Sequence, residues 1–257
     1  MLQFFRRRSE TRSGGDPVYP ALPEGRVIYA IGDIHGRSEL LDRVFRAIDE
    51  AGAVARHTED VTEVYLGDYV DRGPDSYGVV ERLIARRLAH DVVCLRGNHE
   101  EMFENFLHGQ YELERWQAAG GIETLMSYGL DPRPLAQAPN DAWVEAALRR
   151  VPASHHQFLT SLVDSHRIAG YFFAHAGIRP GVPLAEQTAD DLLWIRDQFL
   201  GDRGDFGAVV VHGHTPTMTP EFRHNRINLD TGAYLTNRLT CLRIDERGPR
   251  LIDVGGA

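Results

Sequence analysis

The chain is poor in the features that most quickly place a protein in a class. Two cysteines in 257 residues are too few for a disulfide-stapled scaffold. Both Cys94 and Cys241 sit in apolar runs that read as strands, so they are expected as reduced core thiols. No apolar run approaches the roughly 20 residues that cross a bilayer, so no membrane partner is expected. A basic excess is also missing. The formal net charge is −9, which argues against nucleic acid as a partner, since such binding leans on a basic surface. That surplus of acid fits a plain solvated surface as well as one offset by bound cations. The first residues, Met1-Leu2-Gln3-Phe4-Phe5-Arg6-Arg7-Arg8, put their charges after a short apolar piece with no apolar segment behind them. That is not the order of a secretory signal, and a cytoplasmic location is expected. Residues 1–24 read as a Gly/Pro-punctuated tail and Arg6 to Arg8 as a solvated part of it. Internal repeats and low-complexity tracts are absent too.

What is present supports one large domain over 25–257, with hydrophobic content of 42% and charged content of 25%. Val27 to Ile31 reads as a buried strand stopping at Gly32, followed by a helix capped by Ser38 and ended at Gly52. The unit recurs: a strand over Val61–Leu66, a loop, a helix marked by Val79, Val80, Leu83, Ile84 and Leu88, then a strand over Asp91–Leu95. This βαβαβ order predicts a parallel sheet. From 100 to 166 the apolar residues turn helical in spacing, broken by Pro132, Pro134 and Pro139, which predicts a helical insertion forming a wall or lid. Later strands are expected over Ile168–Ala174, Ala208–Val211, Arg226–Leu229, Leu239–Ile244 and Arg250–Val254, the last two joined at Glu246-Arg247-Gly248.

Five short pieces stand at the ends of these elements. They are Gly32-Asp33-Ile34-His35-Gly36, Gly67-Asp68-Tyr69-Val70-Asp71-Arg72-Gly73, Gly97-Asn98-His99-Glu100, His175-Ala176-Gly177 and Gly213-His214-Thr215-Pro216. Ligands of an open α/β sheet bind at the carboxyl ends of its strands, so these pieces should converge. Zinc, iron and manganese accept mixed Asp, Asn and His donors. Asp33 and His35 can point at one ion, Asp68 can bridge two, and Asn98, His175 and His214 can complete the second. Two such ions can activate water and clamp an in-line displacement at phosphorus. Glycines beside the ligands permit the tight turns that aim them.

The pieces match GDxHG, GDxVDRG, GNHE, HAG and GHTP in order, and the chain from Val27 to Val254 resembles the phosphoprotein phosphatase family of calcineurin-like metallophosphoesterases. Within that family it is most similar to compact bacterial and phage serine/threonine phosphatases. The resemblance implies two packed mixed β-sheets flanked by helices, with a dinuclear site at one edge. It implies Asp33, His35 and Asp68 on the first metal and Asp68, Asn98, His175 and His214 on the second, with manganese the favoured ion and iron or zinc also accepted. It implies His99 as general acid oriented by Asp71, and Arg72 and Arg196 as phosphate clamps around a metal-bridging hydroxide. Arg196, in Leu193-Trp194-Ile195-Arg196, reads otherwise as an ion-pair partner of Asp191 or Asp197. Pro216 stands where many relatives place another ligand His, which leaves the first metal three protein ligands.

The activity expected is a phosphatase acting on a phosphorylated protein or a small phosphoester. The alternative is a dinucleoside polyphosphate hydrolase, in which the resemblance implies Ala at the Asp71 position and GNHD for GNHE; Asp71 and Glu100 weigh against it. A catalytically silent binding module would have lost a ligand or clamp, and none is missing. Asp230-Thr231-Gly232 reads equally as support for a ligand and as a plain turn, while His155, His156, His212, Trp116 and Trp143 read as structural.

Overall fold

Val27-Ile28-Tyr29-Ala30-Ile31 is apolar at every position because both faces of its strand are covered. In the computed structural model, which describes residues 17–54 and 59–254, this strand is β1 (Arg26–Ile31). Its odd residues Val27, Tyr29 and Ile31 lie in one hydrophobic cluster with Leu41, Val44 and Val80. Its even residues Ile28 and Ala30 lie in another with Phe173, Val211 and Ile227. Strand alternation thus divides one run between two cores. Each large apolar side chain so buried contributes about 1.5–3 kcal/mol relative to exposure.

The first cluster packs α1 (Ser38–Val54) and α2 (Ser76–Ala89) on a sheet whose order is β10-β9-β1-β2-β3. Here β2 is Asp60–Tyr65, β3 Val92–Cys94, β9 Cys241–Asp245 and β10 Gly248–Ile252. β1, β2 and β3 run parallel, and β9 and β10 add antiparallel strands beyond β1. The second sheet has the order β4-β5-β6-β8-β7: β4 is Ser165–Ile168, β5 Tyr171–Ala174, β6 Val209–His212, β7 Glu221–Phe222 and β8 Arg226–Asn228. β5, β6 and β8 are parallel, with β4 and β7 antiparallel at the edges. Phe172, Ala174 and Val210 on its far face meet Ile178, Leu192 and Phe199. Two of these belong to the short helices that follow β5: Leu192 lies on α8 (Ala189–Trp194) and Phe199 on α9 (Asp197–Leu200).

The expected architecture of two mixed sheets flanked by helices is the one observed. Between β3 and β4 lie α3 (Asn98–Leu107), α4 (Leu113–Ala118), α5 (Gly121–Ser127), α6 (Asn140–Leu148) and α7 (Ala153–Thr160), the helical segment expected over 100–166. Two local expectations need correction. α1 runs through Gly52 to Val54, because a lone glycine lowers helix propensity without forbidding the next turn. The run Ile168–Ala174 is a hairpin of two strands folded at Ala169-Gly170, with Ala169 at φ 51°. The tail expected over 1–24, including Arg6 to Arg8, lies outside the described residues as far as 16. Within 17–24, Leu22 is buried and its N–H donates to the Asp245 carbonyl at 3.2 Å, while Tyr171 Oη donates to the Pro20 carbonyl at 2.7 Å. Cys94 and Cys241 are buried and free. No described helix is long and apolar enough to cross a membrane.

Candidate metal centre

The parallel strands of both sheets deliver their carboxyl ends to one place. Asp33 and His35 follow β1, Asp68 follows β2, Asn98 follows β3, His175 follows β5 and His214 follows β6, and all six are buried. His175 Nε2 lies 3.2 Å from Asp68 Oδ1, 2.9 Å from Asn98 Oδ1 and 3.2 Å from His214 Nδ1. His214 Nδ1 is 2.8 Å from Asn98 Oδ1. The other Asp68 oxygen, Oδ2, faces His35 Nε2 at 3.4 Å and His99 Nε2 at 3.8 Å. One carboxylate therefore stands between two groups of donors, as the sequence predicts for a bridging Asp68.

The chemistry of this set fits cations. His175 Nδ1 meets the Leu66 carbonyl at 2.9 Å and His35 Nδ1 the Val70 carbonyl at 2.9 Å. A backbone acceptor there keeps the proton on Nδ1 and turns the Nε2 lone pair into the site. Burial lowers His175 and takes His214 down to about 2, which favours the neutral ring in each. The His175 lone pair thus meets the oxygens of Asp68 and Asn98, an arrangement of acceptors that a divalent cation would satisfy. Asp33 Oδ1 and His214 Nε2 are buried without a hydrogen-bond partner. Burial, then the nearby carboxylates Asp230 and Asp68, push Asp33 well above the ordinary carboxylate range. Asp68 goes the other way: burial opposes its charge, but the surrounding His175, His99, His35 and His214 hold it well below.

Beside His35, on the Oδ2 side of Asp68, His99 Nδ1 lies 2.6 Å from Asp71 Oδ2. Asp71 also accepts Trp116 Nε1–H at 2.8 Å and Thr124 Oγ1–H at 2.6 Å, so its carboxylate is fixed on three sides. Burial works to lower His99, yet Asp68 and Asp71 prevail and raise it. Arg72 directs Nη1 at His35 Nε2 at 3.2 Å and Nη2 at His99 Nε2 at 3.1 Å, with its guanidinium 4.8 Å over the Tyr234 ring. Arg196 donates Nη1–H to Thr215 Oγ1 at 3.1 Å and reaches the His214 carbonyl at 3.4 Å. The alternative pairing with Asp191 is taken by Arg179, 2.6 Å away.

The loops carrying these side chains are strained. Seven described non-glycine residues have positive φ, and five belong to the motifs: His35, Asp68, Asp71, Arg72 and His214. Each such conformation costs about 1–3 kcal/mol, and such strain concentrates at functional sites. Glu100 offsets part of it. Its carboxylate accepts the N–H groups of Asp68 at 2.8 Å, Tyr69 at 2.7 Å, Val70 at 3.2 Å and Gly97 at 2.9 Å, tying the second loop to the third. A Cβ on Gly213 would collide with Asp33 Oδ1, so that glycine lets β6 and β1 deliver their ligands side by side.

Other sequence expectations fall into place. His155 lies between Tyr128 Oη at 2.8 Å and Glu81 Oε1 at 2.6 Å, and His212 is buried beside Arg226, with 3.4 Å between its Nε2 and Arg226 Nη1; both are structural. Asp230 is a buried neighbour of Asp33 rather than a plain turn, and burial pushes it up to about 6. Thr124 and Tyr234 were not anticipated at the site, and Trp116, expected in the core, is in the core with its N–H on Asp71.

A centre of this kind on two facing sheets is that of a metallophosphoesterase. The chain belongs to the calcineurin-like phosphoesterase family, which it matches over residues 26–244. Among curated relatives, it is 28% identical over 235 residues to the asymmetrical bis(5'-nucleosyl)-tetraphosphatase PrpE of Anoxybacillus flavithermus. It is 29% identical over 241 residues to the PrpE of Geobacillus thermodenitrificans. Each alignment covers 84% of this chain and 89% of the relative. The fold is similar to that of a crystal structure ascribed to a diadenosine tetraphosphatase, with TM-score 0.59, 23% identity and coverage of 93% of this chain and 98% of that one. It is also similar to a serine/threonine phosphatase of Saccharomyces cerevisiae, with TM-score 0.55, 15% identity and coverage of 94% and 85%.

Proposed function

We propose that this metallophosphoesterase hydrolyses dinucleoside tetraphosphates, splitting them unequally into a nucleoside mono- and a nucleoside triphosphate. The observation that supports this most is the likeness to tetraphosphatases of that specificity across 84% of the chain. The sequence-based preference for a protein phosphatase rested on Asp71 and Glu100. Both have duties that do not depend on substrate: Asp71 orients His99 and Glu100 ties two loops together. They therefore report the reaction and not what is cleaved.

Asp33, His35 and Asp68 would hold one divalent cation, and Asp68, Asn98, His175 and His214 the other, with manganese proposed and iron or zinc compatible with the same donors. When bound, the pair supplies Lewis acidity and makes water nucleophilic at neutral pH. Water oxygen bonds to phosphorus, the bridging P–O bond breaks opposite it, and the departing oxygen takes a proton. His99 supplies that proton from Nε2, with Nδ1 fixed by Asp71, once Arg72 Nη2 has turned from Nε2 to the phosphoryl oxygens. Arg72, whose fork reaches between His35 and His99, grips phosphoryl oxygens, since a planar guanidinium can engage two at once. Arg196 approaches the same space from the His214 side.

A second reading, a phosphatase of phosphorylated protein, draws on the His99–Asp71 pair. An alkoxide is a stronger base than a polyphosphate, so protonating it contributes more. The two separate by comparing turnover of diadenosine tetraphosphate with that of a phosphoserine peptide in manganese. A large preference for the peptide would reject the dinucleotide reading.

A further inference from the structure

α8 buries Leu192 and Leu193 and then leaves Trp194, its last residue, 38% exposed. The other two tryptophans, Trp116 and Trp143, are 0% and 6% exposed. More than a third of this indole stays open, so it keeps a face free for a ligand beside the part that packs on the fold. It is not loose. Its Nε1–H donates to Glu101 Oε2 at 2.7 Å, which fixes the ring on α3. The ring stands 6.3 Å from that of His214, at 81°, so it borders the ligand cluster on the His214 side. Arg196, two residues on, points at Thr215 beside the same histidine.

We propose that Trp194 is the platform on which a nucleobase of the substrate stacks while the phosphates attached to it lie over the ligand cluster. This rests on the dinucleotide reading given above. Every base has a π face, so stacking on an aromatic ring holds purines with little regard to identity. Arg196 meets the phosphates leading away from that base, so indole and guanidinium together measure a fixed length from base to ligand cluster. That length selects which phosphorus is attacked. An unequal split of a substrate with two identical ends then follows, because only one of its anhydride bonds is brought into line.

The test compares wild type with Trp194→Ala and Trp194→Phe, each checked for metal content and circular dichroism. With diadenosine tetraphosphate, Trp194→Ala should lose about 5- to 100-fold in kcat/KM, mostly through KM, and Trp194→Phe much less. The loss should exceed that on tripolyphosphate, which has no base. The product ratio should drift from mono- plus triphosphate toward two diphosphates. Adenosine monophosphate should quench the indole fluorescence of wild type and not that of Trp194→Phe, whose remaining tryptophans are buried. Equal losses on both substrates, with an unchanged product ratio, would overturn the platform and leave the dinucleotide reading standing. A wild type that cleaves the phosphopeptide and not the dinucleotide would overturn both.

Discussion

The two ligand groups that share Asp68 differ in what already stands between their side chains. Around Asn98, His175 and His214 the polar atoms close to 2.8–3.2 Å, with the His175 lone pair turned on the oxygens of Asp68 and Asn98. Around Asp33 and His35 the Arg72 guanidinium reaches in, and Asp33 keeps one oxygen without a partner beside Asp230. One side is complementary to a cation alone. The other already holds a protein cation that would also grip the substrate. The centre therefore reads as a holding side and a working side: the first would offer a cation four protein ligands, the second three together with His99, Asp71 and Arg72.

Removing what the sides share should have the largest effect. Asp68→Asn keeps the shape and tolerates the φ of 53° at that position, where Asn is among the best-suited residues. It removes the charge that both sides use. Metal analysis of the purified variant should find both ions depleted, and turnover should fall roughly 10³-fold or more, within the 10⁶-fold and larger accelerations enzymes supply. A variant that kept both ions would contradict the bridging position of Asp68.

The next effect belongs to the working side alone. His99→Asn should retain both ions and lower kcat about 10²–10⁴-fold on an alkyl phosphate, with a smaller loss on an aryl phosphate whose leaving oxygen is a weak base. Equal losses on the two would remove His99 from proton transfer. Smaller again is the difference between the sides as sites. In a manganese titration of metal-free protein, the first equivalent should fill the side of Asn98, His175 and His214. The second should bind about tenfold more weakly, as affinity follows ligand number and rigidity. Two equal affinities would dissolve the distinction.

The holding side and the strand ends were legible because their signals are local. Each of Asp33, Asp68, Asn98, His175 and His214 follows an apolar β run, and all but His175 directly follow a glycine, so the sequence alone places them at strand carboxyl ends. The working side was legible only in part. His99, Asp71 and Arg72 lie in the same motifs, but Trp116 and Thr124, which fix Asp71, come from an insertion whose helical spacing advertises only a core. A tryptophan that is fully buried and also donates its N–H to a carboxylate has the same sequence pattern as one that is merely buried. The hairpin at Ala169-Gly170 was hidden because β4 and β5 meet there with apolar residues on either side, so the run read as one strand. The two residues of β7 are too few to show a period.

Tyr234 is the finest test of the contrast, because it touches the working side only. It stands on α10 (Ala233–Thr236), the short helix after β8, with its ring under the Arg72 guanidinium and edge-on to His35 at 5.3 Å. A cation held over an aromatic face at a partly exposed site gains about 0.5–1 kcal/mol. Tyr234→Leu should therefore raise KM for phosphate substrates about two- to fivefold by loosening Arg72, with kcat less affected. Tyr234→Phe keeps the ring and should keep KM. Neither change should alter the tighter manganese affinity, since no atom of Tyr234 lies among Asn98, His175 and His214. If Tyr234→Leu weakened that affinity as well, the two sides would be one rigid unit, and the division of labour drawn from Arg72 would fail.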